Sequence, residues 1–79
     1  MSEIEKKVMS LAKEMLNVQN PTRATTWEEL GVDSLDVTEF FMKAEEELGI
    51  QVPDSEATQM KSLGDLIGYA EKAKGKKPE

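Results

Sequence analysis

The sequence predicts an all-α protein, a four-helix bundle with three longer helices and a short third helix. Three observations support this fold class. Apolar residues recur at helical spacing in three segments, capping residues precede those segments, and no segment shows the sustained two-residue alternation of a strand. At 79 residues, the chain is near the small end of what folds around one hydrophobic core. We therefore expect a single domain over residues 1–74 and a flexible tail at residues 75–79.

The first helix is predicted from five apolar residues at helical spacing: Ile4, Val8, Leu11, Met15 and Leu16. Ser2 precedes this pattern and Glu5 follows three residues later, as in a capping box. Asn20–Pro21 marks the loop that follows. Within that loop, "TTWEEL" predicts one helical turn, with Thr26 as its cap and Trp27 reaching the core.

The second helix is predicted to begin near Ser34 and to end at Leu48. Gly49 follows at a position where a left-handed helix end favours glycine. On a helical wheel, one arc of this helix is apolar and should face the core. It contains Val37, Phe40, Phe41, Ala44 and Leu48.

The opposite side of the second helix carries two apolar residues, Leu35 and Met42, surrounded by carboxylates. Between Glu28 and Glu56 there are ten acidic residues and one basic residue, a net charge of −9 in a chain whose total is −6. A concentrated negative field steers basic partner proteins, and exposed apolar groups supply contact energy. A docking face would explain this pattern, and so would an ordinary soluble surface with single exposed hydrophobic residues.

The C-terminal part of the chain predicts a short helix and a longer one. Pro53 interrupts the connection after the second helix, so that Ser55 to Met60 can form only a short helix. The last helix should open at Ser62, with Asp65 three residues further on, and Tyr69 should flank its core stripe. That stripe consists of Leu63, Leu66, Ile67 and Ala70.

Composition excludes several classes of function. The chain has no cysteine and no histidine, which argues against a self-contained hydrolase or metalloenzyme. Its negative charge argues against nucleic acid as a partner. No apolar run is long enough for a signal peptide or a membrane span, so we expect a soluble, cytoplasmic protein. We also expect it to be a monomer. The segment "DSLDVTEFFMKAE" lacks the alternating oxygen ligands and central glycine of a calcium-binding loop.

Ser34 has three interpretations from the residues alone. As an N-cap, its hydroxyl would accept a hydrogen bond from a backbone N–H of the first turn. As a phosphorylation site, it has acidic neighbours that some kinases favour. As the attachment point of a phosphate-linked group, it would benefit from the helix dipole, whereas Asp33 and Asp36 would repel the phosphate. The spacing does not choose among these three.

The segment "LGVDSLDVTEFFMKAEEELGIQVPD" resembles the modification site and recognition helix of the acyl carrier protein family. The likeness covers most of the chain, because "IEKKVMSLAKEML", "WEELGVDSL", "EEELGIQVPDSEA" and "SLGDLIGYAEKA" occur in the family's order and approximate spacing. The Asp-Ser-Leu triplet alone would be a weak signal. Its position at a helix start, before an acidic helix and an Ile-x-Val-Pro-Asp connection, makes it specific. Residues 1–74 would then be a single carrier domain.

The resemblance implies that a phosphopantetheinyl transferase moves 4′-phosphopantetheine from coenzyme A onto Ser34. The thiol of that group would carry acyl groups as thioesters between enzymes of fatty acid, lipid or related biosynthesis, so the protein would need no catalytic residue of its own. The other partners would be acyl synthases and acyltransferases with basic docking patches. Seven residues match the family's recognition positions: Asp33, Leu35, Asp36, Glu39, Met42, Glu45 and Glu46.

Relatives in this family shelter the acyl chain in an apolar cleft between helices. The corresponding cleft or core residues would be Phe40, Phe41, Ala44, Met60, Leu66 and Ile67. Phe40 and Phe41 stand where smaller aliphatic residues are more frequent. Because interiors are densely packed, either the two rings shrink the cleft and favour short or unusual cargo, or smaller neighbours compensate. The segment from Pro53 to Met60, which has few apolar anchors, would be the mobile wall of this cleft.

The residues leave two alternatives open. A docking subunit could keep the carrier fold without being modified. A D-alanyl or peptidyl carrier would share the modification, although a peptidyl carrier would more often have glycine where this chain has "VD" before the serine.

Overall fold

The computed structural model describes residues 3–75, which contain five helices and no strand. The helices are α1 (Glu3–Met15), α2 (Trp27–Leu30), α3 (Ser34–Leu48), α4 (Asp54–Ala57) and α5 (Leu63–Ala73). The predicted all-α bundle is confirmed, with α1, α3 and α5 as the longer helices, α4 as the short one and α2 as the single turn in "TTWEEL". The predicted cap at Ser2 and residues 76–79 of the predicted tail lie outside the described residues.

The core forms where α1 packs against α3 and α5. All six residues predicted for the cleft or core are buried, and so is the whole predicted stripe of α5. In α1 the predicted pattern is incomplete. Met9 and Ala12 are buried as well, whereas Met15 is 40% exposed. Met15 is the last residue of α1, and the chain then turns away through Asn17, which adopts a left-handed conformation with φ of 59°.

The predicted capping residues are found at the starts of α2 and α5 and at the end of α3. Thr26 and Glu29 form a reciprocal capping box at α2, with the Glu29 backbone N–H donating to Thr26 Oγ1 at 3.1 Å. At α5, the backbone N–H of Asp65 donates to Ser62 Oγ at 3.2 Å. Gly49 has φ of 68°, so the predicted left-handed end of α3 is confirmed.

The loop after α1 is joined to the start of α5 by backbone hydrogen bonds. The Trp27 N–H donates to the carbonyl of Lys61 at 3.1 Å, and the Leu63 N–H donates to the carbonyl of Thr25 at 2.9 Å. Gly64 continues this contact by donating to the carbonyl of Arg23 at 2.9 Å. These bonds hold α2 beside the N-terminus of α5.

The prediction for the short helix was wrong in its limits. We expected it between Ser55 and Met60, whereas α4 covers Asp54–Ala57. Pro53 takes the position before the first turn, where its fixed φ is favourable, and its carbonyl accepts from the Ala57 N–H at 2.9 Å. After Ala57 the chain continues as a turn to the buried Met60. No residue of α4 itself is buried.

Candidate modification and docking site

Ser34 is the first residue of α3 and lies at the end of a sharp connection from α2. Gly31 ends α2 with φ of 71°, a left-handed conformation that glycine adopts without steric cost. Two residues later, Asp33 is extended, with φ of −90° and ψ of 177°, and Ser34 enters the helix. Because the connection is this short, Ser34 lies at the start of α3 and close to the end of α2.

The interpretation of Ser34 as the N-cap of α3 is wrong. Asp33 is the N-cap, and its Oδ1 accepts a hydrogen bond from the Asp36 backbone N–H at 2.9 Å. Aspartate and serine are comparable N-caps, so residue type alone does not decide whether Asp33 or Ser34 caps α3. Ser34 is exposed, and its hydroxyl takes part in no hydrogen bond within residues 3–75. It is therefore accessible to another enzyme.

The electrostatic surroundings of Ser34 contain two opposing contributions. The N-terminus of a helix favours an anion, through its dipole and its first backbone N–H groups. Asp33 and Asp36 place two exposed carboxylates beside the same hydroxyl. One of them, Asp33, already occupies a backbone donor of the first turn.

A groove of about 660 Å³ begins at Ser34 and runs between α2, α3 and α4; we call it the Ser34 groove. Its floor consists of buried or half-buried apolar residues, namely Trp27, Val32, Val37, Phe41, Ala57 and Met60. Its rim consists of exposed polar residues, namely Asp33, Ser34, Thr38, Asp54 and Thr58. A flexible arm attached to Ser34 could therefore lay an apolar group on the floor while its polar parts stay at the rim.

Only two of the six predicted cleft residues, Phe41 and Met60, line the Ser34 groove. The other four are completely buried or nearly so in the bundle: Phe40, Ala44, Leu66 and Ile67. Sequence reasoning missed the role of Trp27, which it assigned only to the core, and the lining by Val32 and Ala57. The position of Trp27 just before the Gly31 turn could have indicated that its ring lies near Ser34.

The proposed docking face of α3 is exposed at most of its predicted positions. Leu35 is 64% exposed and Met42 is 61% exposed, although both are large apolar residues. Three carboxylates of the same face are also exposed, those of Asp36, Glu39 and Glu46. The face therefore offers apolar contact area within a negatively charged surface, as the helical wheel predicted.

Glu45 differs from the other predicted docking residues. Its Oε2 accepts a hydrogen bond from the Val52 backbone N–H at 2.6 Å, and the residue is half-buried. The Gly49 and Ile50 N–H groups also donate to the backbone carbonyl of Glu45, at 2.9 and 3.2 Å. Glu45 thus holds the connection between α3 and α4, which the wheel could not show because its partner lies seven residues away.

Comparisons with known proteins agree with this site. The sequence model of the phosphopantetheine attachment site family matches residues 6–70, a span that includes Ser34. The chain is 44% identical to proteins named acyl carrier protein from two strains of Porphyromonas gingivalis, over 91% of this chain and 96% of each relative. It is 41% identical to the acyl carrier protein of Akkermansia muciniphila, over 91% of this chain and 94% of the relative.

The fold, the exposed serine at a helix start and the family match together define a phosphopantetheine-bearing carrier domain. The chain belongs to the acyl carrier protein family. The residues present fit a covalently attached 4′-phosphopantetheine, since an accessible hydroxyl opens onto a groove with an apolar floor. Within residues 3–75, none of the helices is long and apolar enough to cross a membrane.

Proposed function

We propose that Ser34 is the attachment residue for 4′-phosphopantetheine and that the protein carries acyl groups in fatty acid or related acyl-chain biosynthesis. The observation that carries this proposal is the exposure of the Ser34 hydroxyl at the start of α3, with Asp33 performing the capping that Ser34 would otherwise do. The thiol of the attached group holds acyl groups as thioesters. The protein itself supplies no catalytic residue, and each reaction takes place in a partner enzyme.

The attachment reaction needs only a hydroxyl from this chain. Ser34 Oγ forms a new bond to the β-phosphorus of coenzyme A, the phosphoanhydride bond breaks, and adenosine bisphosphate leaves. The hydroxyl proton passes to a base of the transferase, which activates the hydroxyl. Asp33, Leu35 and Asp36 would be recognised by the transferase around the reacting oxygen.

The docking face of α3 would bind partners through Leu35, Met42 and the exposed carboxylates of Glu39 and Glu46. Such a face suits enzymes with basic patches, namely the transferase and the acyl synthases and acyltransferases. We propose that Glu45 contributes negative charge to this field while it holds the connection to α4. The protein would act as a monomer in the cytoplasm, where coenzyme A and its thioesters are available.

Incubation with a phosphopantetheinyl transferase and coenzyme A tests the attachment. Mass spectrometry of the intact protein should show a gain of one phosphopantetheinyl unit in the wild type and no gain in Ser34→Ala. Ser55→Ala is a matched control, because Ser55 is also an exposed serine in the first turn of a helix and follows an aspartate. This variant should gain the full unit.

A wild-type protein whose mass never changes would support an unmodified docking subunit instead of a carrier. A gain that persists in Ser34→Ala and disappears in Ser55→Ala would move the attachment to another residue. Either result would refute the proposal for Ser34.

A further inference from the structure

We infer that Trp27 closes the floor of the Ser34 groove and thereby limits the cargo to acyl groups short enough to lie on that floor. This inference rests on the proposed attachment at Ser34 and adds a residue that determines specificity. The acyl group is carried at the end of the attached 4′-phosphopantetheine. Neither the fold class nor the position of Ser34 determines how much of that acyl group the groove can accommodate.

Trp27 is held at both its backbone and its side chain. Its indole Nε1–H donates to the carbonyl of Met60 at 2.9 Å, which joins α2 to the turn after α4. Its backbone N–H donates to the carbonyl of Lys61 at 3.1 Å. Withdrawing the ring from the floor would leave the indole donor and the Met60 carbonyl without their hydrogen bond. Because an unsatisfied polar group in a half-buried position lowers the stability of the folded protein, this withdrawal is unfavourable. The ring is therefore a fixed part of the floor.

The rings beneath and beside Trp27 close the remaining path into the bundle. Trp27 packs edge to face against Phe40 and against Phe41, with ring centroids 5.7 Å apart in both pairs. Phe40 is completely buried behind the floor, and Leu66 and Ile67 are completely buried further inside. An acyl chain that enters the bundle through the floor at Trp27 would have to displace these rings, and densely packed interiors resist added volume.

The consequence is a limit on the apolar contact that a cargo can make. The first carbons of an acyl group can cover Val37, Phe41 and Ala57 on the floor. A longer acyl group must then either displace the rings of the floor or extend beyond the groove. Because a cargo stabilises the folded state only through contacts that the unfolded chain lacks, the gain in Tm should stop growing once the floor is covered.

A series of acylated proteins tests this limit. Acyl coenzyme A substrates are transferred onto Ser34 as intact acyl-phosphopantetheine groups, from acetyl through butyryl, hexanoyl, octanoyl and decanoyl, and mass spectrometry verifies each loading. Tm is then measured for the wild type, Trp27→Leu and Tyr69→Leu. Tyr69 is the matched control, since it is also a half-buried aromatic residue that donates one hydrogen bond to a backbone carbonyl, that of Gln51 at 3.0 Å, but it lies outside the groove.

The Tm gain should level off within the series for the wild type and for Tyr69→Leu, and it should continue to rise through decanoyl for Trp27→Leu. A steady rise in the wild type, or the same profile in Trp27→Leu as in the wild type, would overturn the inference. A continued rise in both variants would show general loosening and would also overturn it. Absence of any mass gain would instead refute the attachment at Ser34, so the two failures are distinguishable.

A second measurement uses the wild-type protein alone and does not depend on whether a variant folds. Trp27 is the only tryptophan of the chain, so intrinsic tryptophan emission reports on the groove floor. Adding a hexanoyl group to the arm should exclude water from the ring and shift the emission to shorter wavelength, with little further shift from hexanoyl to decanoyl. Emission unchanged between the unacylated and hexanoyl forms would contradict a cargo lying on Trp27.

Discussion

At the scale of single residues, adjacent side chains at the start of α3 have separate tasks. Asp33 satisfies a backbone donor of the first turn, and Ser34 is left with an exposed hydroxyl. A serine that capped the helix would have its oxygen engaged by a backbone N–H. The division of tasks therefore makes the hydroxyl available for modification without loss of the cap.

Gly64 carries the most specific steric requirement among the described glycines. A Cβ at this position would lie 2.6 Å from the carbonyl oxygen of Arg23, which is backbone and cannot rotate away. Gly64→Ala should therefore lower the free energy of unfolding by about 1–3 kcal/mol, the usual cost of overpacking. Urea denaturation of the purified variant measures the change.

Gly68→Ala is the control for that substitution, because it lies one turn later in α5 and a Cβ there would meet nothing within 4 Å. Alanine is the better helix former, so Gly68→Ala should raise the free energy of unfolding by about 0.5–1 kcal/mol. Equal effects of the two substitutions would mean that the contact between Gly64 and Arg23 does not constrain the chain.

Residue type and spacing could predict which side chains are buried but not which of them meet. Phe40, Leu66 and Ile67 follow from helical periodicity, and each is buried as expected. The hydrogen bond from Trp27 to Met60 joins residues 33 positions apart, and no local pattern contains it. The floor of the Ser34 groove is accordingly a product of tertiary structure, visible only when α2 and the turn before α5 are placed together.

At the scale of elements, both limits of α3 and the start of α5 were predicted to within a residue. For α3 an apolar period of four turns and Gly49 fixed both the face and the end. For α4 neither signal exists, because four residues are too few for a period and no side chain caps it. Its limits depend on Pro53 and on backbone bonds in the following turn, which tertiary contacts decide.

The connection between α3 and α4 depends on Glu45. Its carboxylate receives the Val52 N–H at 2.6 Å, a short bond to a charged acceptor. Glu45→Ala should lower the free energy of unfolding by about 1–2 kcal/mol and should accelerate hydrogen exchange at the Val52 amide, since that donor loses its partner. Exchange followed by NMR resolves this single amide.

Glu46→Ala is the appropriate comparison, because Glu46 is the next residue of the same helix and is exposed. It removes the same charge and should leave exchange at Val52 unchanged. If both variants accelerate that amide equally, the effect comes from the charge of α3 and the hydrogen bond contributes nothing.

At the scale of the whole molecule, the ion pairs that join helices and the excess negative charge lie in different parts of the chain. Arg23 joins α1 to α5 through ion pairs with Glu5, at 2.6 Å, and with the buried Glu71, at 3.7 Å. This connection involves α1, the loop after it and α5, whereas the negative charge is concentrated between Glu28 and Glu56. The sequence could predict this asymmetry because charge is additive along the chain. It could not predict the groove, whose walls come from three separate segments.

The same asymmetry predicts how salt affects partner encounter. Screening shortens the range of the field from α3, so kcat/KM for phosphopantetheine transfer to Ser34 should fall on the order of tenfold between low and high ionic strength. Removing two charges from the docking face, in the pair Glu39→Gln and Glu46→Gln, should lower kcat/KM at low salt and flatten the salt dependence. The pair Glu3→Gln and Glu14→Gln changes the net charge equally but lies on α1, outside both the docking face of α3 and the lining of the Ser34 groove. If both pairs reduce kcat/KM to the same extent, net charge alone governs the encounter, and α3 has no special role as a docking face.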